Sequence, residues 1–374
     1  MEGPRGLRRE EISSLRRLTD LCFWKGLVDK YPQLFNEDNL ENLRVIVKDG
    51  EVISHVGMTY QWVSIFGCKT LVACIGAVCT HPKYRMRGLA TTLFHDACVK
   101  ARRDGIDFMM VSGSRGLYLR AGCRPIKGCY LRVTVRSKRR SSPLEENLTL
   151  RECTSKDIPV MSALYRREPV RFLRRLEDYR RAFECRHVMD KQSAFLMIEK
   201  NCSPRAYIIF SKLNSNQRRV YIGEYAGERV SITNALKMIL EYYKVKELIL
   251  YVYKYDSIMK SELIREGFQL TPDGSVGSIR IINFVQFMER LMPYFEEIIG
   301  YKEAERLSFS EINGKCKIEY NGDHVVLGDY PETVQIIFGS SDAPTGWLTS
   351  NHRTVRLLKK VLPLPLPWYG INFV

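Results

Sequence analysis

The sequence lacks any apolar run that approaches the ~18 residues of a membrane-spanning helix. The N-terminal residues Met1–Arg5 are not followed by the apolar stretch of a signal peptide. The eleven cysteines contain no C-x-x-C pair, and their odd number does not suit a complete disulfide framework. These absences argue against a membrane protein, a secreted scaffold and a zinc site. We therefore expect a soluble cytoplasmic protein with reduced thiols and no metal.

Composition indicates a folded, basic protein. The 374 residues predict two or three domains, and 45% hydrophobic content with 16 Phe and 20 Tyr is enough to fill their cores. The formal net charge is +16, so an anionic partner or a phosphate-rich ligand is expected. Twelve Lys or Arg and two Asp lie between Lys100 and Arg140, a local charge of +10. This basic stretch predicts an anionic partner, and nucleic acid is one candidate.

Hydrophobic periodicity predicts three segments of mixed helix and strand. The first predicts helices over 11–27 and 89–103 and strands over 43–47, 52–58, 70–80 and 108–111. The second repeats part of this order, with a strand over 220–225, a helix over 232–243 and a strand over 248–252. The third predicts strands over 279–283, 315–320 and 324–328 and a helix over 353–361. Asn283 is expected to cap a helix at its start.

The repeated order predicts a duplicated domain. A basic, Ser-rich run over 136–143 and a turn-rich cluster over 271–275 mark the breaks between segments. The predicted domains are therefore residues 1–140, 141–275 and 276–374.

The stretch from Val78 to Ala90 has the features of a phosphate-binding loop. A predicted strand ends before Pro82, and a predicted helix begins with the pattern Arg85-x-x-Gly88-x-Ala90. The first turn of a helix presents unpaired N–H groups, and its dipole favours an anion. Because Gly88 has no Cβ, a phosphate can approach these donors. The remaining residues of the expected site are Val78, Cys79, Thr80, Met86, Arg87 and Leu89.

This loop resembles the acyl-CoA-binding core of the GNAT acetyltransferases, together with the later stretch Ser112–Cys123. The resemblance implies acetyl-CoA as co-substrate, with its pyrophosphate at the loop and its pantetheine arm along Val78 and Thr80. It implies that Tyr118, followed by Arg120-Ala121-Gly122-Cys123, protonates the thiolate leaving group. Phe23 and Trp24 would line the acceptor pocket.

The three-segment order is similar to the enhanced-intracellular-survival (Eis) family. That resemblance implies an α+β fold: tandem GNAT domains with mixed, mostly antiparallel sheets flanked by helices, then a sterol-carrier-like C-terminal domain. The second domain has Glu228 where a phosphate loop would lie, so we expect no coenzyme there. The terminal carboxylate of Val374 would return to the first domain as the catalytic base. Our prediction is an N-acetyltransferase that works by direct attack in a ternary complex.

Two other functions stay open from sequence. An acyl-CoA-sensing protein without turnover would hold an apolar ligand in its sterol-carrier-like domain, and a nucleic-acid-binding protein would use the 100–140 stretch. The acceptor is expected to be an amine-bearing small molecule or peptide, and the chain is expected to form a homo-oligomer. A charge of +16 would repel polycationic acceptors at long range.

Overall fold

The fold was described from a computed structural model, which covers residues 1–127, 129–136, 147–211, 219–272, 277–339, 343–350 and 352–374. The chain divides into two compact units. The first contains Met1–Lys127, Ser275–Leu366 and Val374, and the second contains Gly128–Gly274 and Pro367–Phe373.

In chain order the strands are β1 Glu2–Gly6, β2 Leu43–Lys48, β3 Glu51–Ile65, β4 Cys68–Thr80, β5 Phe108–Val111, β6 Arg124–Pro125, β7 Tyr130–Arg136, β8 Leu148–Glu152, β9 Val170–Phe172, β10 His187–Val188, β11 Lys191–Lys200, β12 Ser203–Ser211, β13 Arg219–Gly227, β14 Glu247–Tyr253, β15 Leu270–Pro272, β16 Ser278–Ile281, β17 Leu307–Ile312, β18 Lys315–Tyr320 and β19 Asp323–Gly328. The α-helices are α1 Ile12–Cys22, α2 Leu27–Lys30, α3 Leu89–Arg103, α4 Gly116–Arg120, α5 Ile158–Tyr165, α6 Leu176–Cys185, α7 Arg229–Tyr242, α8 Ser257–Arg265, α9 Phe284–Arg290, α10 Met292–Ile299, α11 Tyr301–Ala304, α12 Tyr330–Ile337, α13 Thr345–Thr349 and α14 Arg353–Val361. Short 3-10 turns lie at Arg9–Glu11, Glu37–Asn42, Pro82–Tyr84, Ser155–Asp157 and Gly370–Asn372.

The sheet of the first unit has the strand order β1-β2-β3-β4-β5-β16-β6. Strands β3 and β4 form a long antiparallel hairpin, and its turn uses Gly67 at φ +88°. Strand β5 runs parallel to β4 and is reached through α3. Leu93, Phe94 and Ala97 of α3 are fully buried against the sheet, so one apolar helix face fixes the helix position.

The sheet of the second unit has the order β10-β11-β12-β13-β14-β7-β15, and β8 pairs with β11. Here too a parallel pair of strands, β13 and β14, is joined by a helix, α7. The predicted repeat of strand, helix and strand is therefore confirmed. Both units are mixed α+β sheets flanked by helices.

Residues 284–366 add helices and a three-stranded antiparallel sheet, β17-β18-β19, to the first unit. Helix α9 begins after Asn283 as predicted, but the predicted cap is wrong. The Asn283 side chain donates to the carbonyl of Ile106 at 2.7 Å instead of accepting from the helix.

Two strands belong to a different compact unit from the one that the predicted domain boundaries give them. Strand β7 precedes the predicted boundary at 140 but pairs with β14 in the second unit. Strand β16 follows the predicted boundary at 275 but pairs with β5 in the first unit. The division into three domains stays a prediction. Residues 137–143 and 273–275 of the predicted breaks lie outside the described residues.

None of the helices in the described ranges combines the length and apolar character needed to cross a membrane. All eleven cysteines are described, and all are free thiols.

Candidate active site

A gap opens in the sheet of the first unit where β4 and β5 separate. Their parallel pairing ends at Ile75 and Val111, and β4 continues to Thr80 without a β5 partner in the described structure. Ala77 lies in this extension at φ +50°, a conformation that L residues rarely adopt. The gap therefore exposes an irregular strand edge to which an extended molecule can pair.

The side chain of His55, on the neighbouring strand β3, stabilises the irregular backbone at Ala77. Its Nδ1 donates to the carbonyl oxygen of Ala77 at 2.8 Å, and its ring stacks on Phe35 with centroids 5.9 Å apart. Full burial lowers the pKa of His55 from 6.5 to about 4, so the ring is neutral at physiological pH. No local sequence pattern indicates this role, since the contact depends on strand pairing.

The terminal carboxyl group of Val374 lies at the start of the gap. Its carbonyl carbon is 2.4 Å from the point where a Cβ on Gly76 would lie, so a side chain at Gly76 would collide with it. The Ser112 hydroxyl, directly after β5, donates to the Val374 carbonyl oxygen at 3.4 Å. A carboxylate is thus placed where the two strands separate.

Tyr118 lies on the short helix α4, which follows β5 and Ser112. Its ring packs on Phe94 with centroids 5.4 Å apart, and it is 3.3 Å from the point where a Cβ on Gly113 would lie. Burial raises the pKa of Tyr118 above its ordinary value, so the hydroxyl keeps its proton at neutral pH. This hydroxyl donates to no acceptor among the described residues, so it is available to a bound molecule.

The predicted phosphate loop leads from β4 to α3. Gly88 caps α3 at φ +77°, and a Cβ built there meets nothing within 4 Å. The first intrahelical bond of α3 runs from the N–H of Thr92 to the Gly88 carbonyl, so earlier N–H groups are free to bind an anion. Leu89 and Ala90 are only partly buried. The residues present fit a pyrophosphate.

The two arginines of the loop point to different partners. Arg85 Nε donates to the Thr80 carbonyl at 3.2 Å, and the Arg87 guanidinium lies over the Tyr84 ring at 5.3 Å. Met86 between them is fully exposed at φ +60°. Both guanidinium groups lie beside the loop, where rotation of an exposed side chain can bring them to a phosphate.

Four predicted residues, two on β4 and two directly after α1, complete the set. Val78 is partly buried against the core of the first unit, and Cys79 is buried. Phe23 and Trp24 follow α1, and each is 37% exposed, which suits residues that line an open pocket. Cys22 precedes them, and its thiol donates to the Thr80 carbonyl at 3.6 Å.

The equivalent gap of the second unit is filled by the chain itself. Strands β13 and β14 pair only from Arg219 to Tyr221 and from Glu247 to Ile249. Beyond that, Trp368 donates through its backbone N–H to the Tyr253 hydroxyl and through its indole N–H to the Gly223 carbonyl, each at 2.6 Å. The Trp368 ring also stacks on Tyr251 with centroids 4.9 Å apart.

A buried ion pair fixes the rest of this tail in the second unit. Arg174 and Glu224 form two hydrogen bonds of 2.6 and 2.8 Å, and their side chains are 1% and 3% exposed. Arg174 also donates to the Asn372 side chain at 2.6 Å, and the Ile371 N–H donates to Glu224 at 3.1 Å. A Cβ on Gly370 would lie 1.7 Å from a Glu224 oxygen, so only glycine fits there.

The helix start that would bind phosphate in the second unit also differs. Glu228 precedes α7, and the preceding N–H, of Gly227, donates to the Glu168 carboxylate at 3.1 Å. The Glu168 carboxylate thus lies beside this helix start, where it also bonds to Arg229, the first residue of α7. Across the described residues, no group of three His, Cys, Asp or Glu side chains is arranged to hold a metal ion.

Comparison with known proteins identifies the domain that carries this site. Residues 4–126 match the model of the acetyltransferase (GNAT) domain. No curated protein matches the chain.

Solved structures share the fold over most of the chain. A GCN5-related N-acetyltransferase from Anabaena variabilis is 17% identical, with a TM-score of 0.67 over 97% of both chains. Eis1 from Mycobacterium abscessus is 12% identical, with a TM-score of 0.60 over 97% of this chain and 96% of its own. A probable N-acyltransferase from Enterococcus faecalis is 14% identical, with a TM-score of 0.59 over 76% of this chain and 74% of its own. At these identities the likeness is one of fold, that of tandem α+β sheets flanked by helices. The match over residues 4–126 shows that the first of these sheets belongs to a GNAT acetyltransferase domain.

Proposed function

We propose that the protein is an N-acetyltransferase that transfers an acetyl group from acetyl-CoA to an amine acceptor in a ternary complex. The observation that carries this proposal is the position of the Val374 carboxyl group against Gly76, where β4 and β5 separate. The Ser112–Tyr118 segment that bears a protonated tyrosine hydroxyl begins at the same place. A base and an acid are the two groups that amine acetylation requires.

The proposed reaction uses positioning more than covalent chemistry. The acceptor amine loses a proton to the Val374 carboxylate, directly or through water, and attacks the thioester carbonyl. Backbone N–H groups between Val78 and Thr80 stabilise the oxyanion, and Tyr118 gives its proton to the departing thiolate. Burial raises the pKa of Tyr118, so the phenol carries its proton before the thiolate forms.

The coenzyme site is proposed for the first unit alone. The helix start after Gly88 is open, whereas the tail fills the corresponding gap of the second unit. Binding of the pyrophosphate is assigned to Arg85, Arg87 and the N–H groups of Leu89 and Ala90. Phe23 and Trp24 are assigned to the acceptor pocket.

Membership of the Eis-like family and a sterol-carrier-like character for residues 276–374 stay predictions, as do the cytoplasmic location and the homo-oligomer. An apolar-ligand protein without turnover is disfavoured, because it would not need an unpartnered Tyr118 hydroxyl.

The nucleic-acid alternative has less support. Four of the twelve basic side chains of the 100–140 stretch are already paired with protein carboxylates: Lys100 and Arg103 with Asp104, Arg102 with Glu311, and Arg136 with Glu247.

An acetyl-transfer screen tests the proposal. Acetyl-CoA is mixed with a panel of amines and peptides, and release of free thiol and acetylated product is measured. With an accepted amine, Tyr118→Phe should lower kcat by ~10²–10⁴-fold, the usual worth of general acid–base catalysis, and leave acetyl-CoA affinity nearly unchanged.

The matched control is Tyr60→Phe in the same unit, because the Tyr60 hydroxyl is bound to Asp104 outside the gap. Its kcat should equal that of the unmodified protein. Loss of coenzyme binding in Tyr118→Phe would make Tyr118 a packing residue, and product-free thiol release with every amine would contradict acetyl transfer.

A further inference from the structure

A segment rich in aromatic residues follows α1 in the first unit. We call residues 23–35 the aromatic segment, because four of its thirteen side chains are aromatic: Phe23, Trp24, Tyr31 and Phe35. Phe23 and Trp24 are each 37% exposed, whereas Tyr31 is buried. The Trp24 and Tyr31 rings are in contact, with centroids 6.3 Å apart. The segment therefore presents aromatic surface that extends from solvent into the unit.

The far end of the aromatic segment lies beside the terminal carboxyl group. Leu34 is fully buried, and its Cδ2 atom is 3.0 Å from the point where a Cβ on Gly57 would lie. Gly57 pairs with Gly76 across β3 and β4, and residues paired in this way face the same side of a sheet. The Val374 carbonyl carbon is 2.4 Å from the corresponding point at Gly76. Leu34 and the carboxyl group are therefore neighbours on one face of the sheet.

The near end of the aromatic segment lies beside the strand on which we place the thioester. The thiol of Cys22, the residue before Phe23, donates to the Thr80 carbonyl at 3.6 Å. The pantetheine arm of acetyl-CoA is assigned to this part of β4, between Val78 and Thr80. An acceptor that packs on the aromatic segment would therefore have the thioester at one end and the base at the other.

The charges of the aromatic segment do not suit a polycation. Two lysines and one aspartate give it a net charge of +1. The aspartate, Asp29, already bonds to Arg16 at 2.7 Å. Asp20, which precedes the segment, accepts from the N–H of Gly26 at 2.9 Å. Apolar rings favour the neutral form of an amine, because moving an ammonium group out of water is costly.

We propose that the acceptor is an arylalkylamine, a monoamine in which a short carbon chain joins an aromatic ring to the nitrogen. The ring packs on Trp24 and Tyr31, and the amine reaches the Val374 carboxylate. The neutral nitrogen forms a bond to the acetyl carbon and gives a proton to the carboxylate. The thioester C–S bond breaks, and the sulfur takes the Tyr118 proton, so the products are the N-acetylated amine and coenzyme A. This proposal rests on the proposed function.

A panel of four amines tests the proposal in the unmodified protein. The kcat/KM of phenethylamine is compared with those of ethylamine, octylamine and spermidine at saturating acetyl-CoA. Phenethylamine should exceed ethylamine by about 10²-fold or more, because each methylene-sized group in an apolar pocket is worth roughly 10- to 200-fold. It should exceed octylamine, which has the same number of carbon atoms, by about 2- to 10-fold, because ring contacts add to apolar burial. Spermidine should react no faster than ethylamine.

Variants of Trp24 separate recognition of the ring from the chemistry. In Trp24→Ala the ratio of kcat/KM for phenethylamine to that for ethylamine should fall by about tenfold or more, with acetyl-CoA affinity unchanged. Trp24→Phe keeps an aromatic ring and should retain most of the ratio. The matched control is Trp62→Ala, because Trp62 is a similarly exposed indole on β3 whose ring lies against Arg290 at 5.1 Å. Its ratio should equal that of the unmodified protein.

The outcomes distinguish this proposal from the proposed function. An equal or higher kcat/KM for octylamine or spermidine, or an unchanged ratio in Trp24→Ala, would overturn the arylalkylamine and leave acetyl transfer in place. Acetylation of other amines with phenethylamine inert would do the same. Absence of acetylated product with every amine would overturn both proposals together. Because the panel uses the unmodified protein, a variant that failed to fold would leave the comparison of amines intact.

Discussion

At the scale of single residues, Gly88 and Gly67 form a matched pair. Both have a left-handed φ, of +77° and +88°, and a Cβ at either position would meet nothing within 4 Å. Only Gly88 lies at the start of α3, where we place the pyrophosphate. A substitution to glutamate therefore adds the same strain and charge at both, and differs only in its distance from the proposed anion.

We expect Gly88→Glu to weaken acetyl-CoA binding by about ten- to a hundredfold, because its carboxylate would repel the phosphates at short range. Gly67→Glu should bind acetyl-CoA like the unmodified protein. Calorimetric titration measures both affinities. Equal affinity in the two variants would place the pyrophosphate elsewhere.

Val374 gives the second prediction at this scale. Deleting it would move the terminal carboxylate by ~3.5 Å, which is more than a hydrogen bond tolerates. Adding one glycine after it would replace the carboxylate by an amide. Both variants should lose most of their kcat at saturating acceptor and keep their acetyl-CoA affinity. If either retains full kcat, a water molecule or another residue is the base.

At the scale of elements, the irregular part of β4 depends on a neutral histidine. His55 bonds to Ala77 at 2.8 Å, and burial lowers its pKa from 6.5 to about 4. Between these two pH values the unfolded chain binds a proton that the folded chain rejects. The contribution of His55 to stability is therefore complete above pH 6.5 and is lost as the pH falls towards 4, by up to about 3 kcal/mol.

Urea unfolding at pH 7 and at pH 4.5 measures this difference. The unmodified protein should lose more stability on acidification than His55→Leu, in which no group titrates at that position. His95→Leu, which removes an exposed histidine of α3, should behave like the unmodified protein. An equal loss in His55→Leu would mean that other groups cause the acid sensitivity.

Elements whose limits are set by nearby residues could be predicted from the sequence. Helix α3 runs from Leu89 to Arg103 as predicted, because Gly88 and Gly105 stop it on either side. Helix α14 and strand β5 also have the predicted limits. The predicted helix over 11–27 is instead α1 and α2, because the chain breaks at Phe23 and turns at Gly26.

Features that depend on distant partners could not be predicted. The sequence pattern predicted β16 as a strand but gave no strand at β7, and the partners of both lie in other segments. The bulge at Ala77 requires His55 from the next strand, and the thiol contact of Cys22 requires α1 to cross β4. In the site, the Gly88 loop follows a local pattern, whereas the roles of Tyr118 and Val374 were suggested by a family resemblance and stay predictions.

At the scale of the whole molecule, both units have a mixed sheet with a gap beyond its parallel strand pair. In the second unit the C-terminal tail occupies this gap, whereas in the first unit we place acetyl-CoA there. We expect one acetyl-CoA site per chain in calorimetric titration, because Trp368 and the Arg174–Glu224 pair hold the tail in the second gap. Two sites per chain would show that acetyl-CoA displaces the tail. The Gly88→Glu variant should show this same site with an affinity about ten- to a hundredfold lower.

The tail carries a tryptophan, Trp368, whose fluorescence can report on the position of the tail. Trp368 donates to Gly223 and stacks on Tyr251, whereas Trp24 and Trp62 are 37% and 43% exposed. A dissolved quencher such as iodide reaches these exposed indoles first, so the fluorescence that survives quenching comes mainly from Trp368 and Trp347, which are both partly buried. Release of the tail would move the Trp368 indole into water and shift its emission to longer wavelength. The protein would therefore report release of the tail without an attached dye.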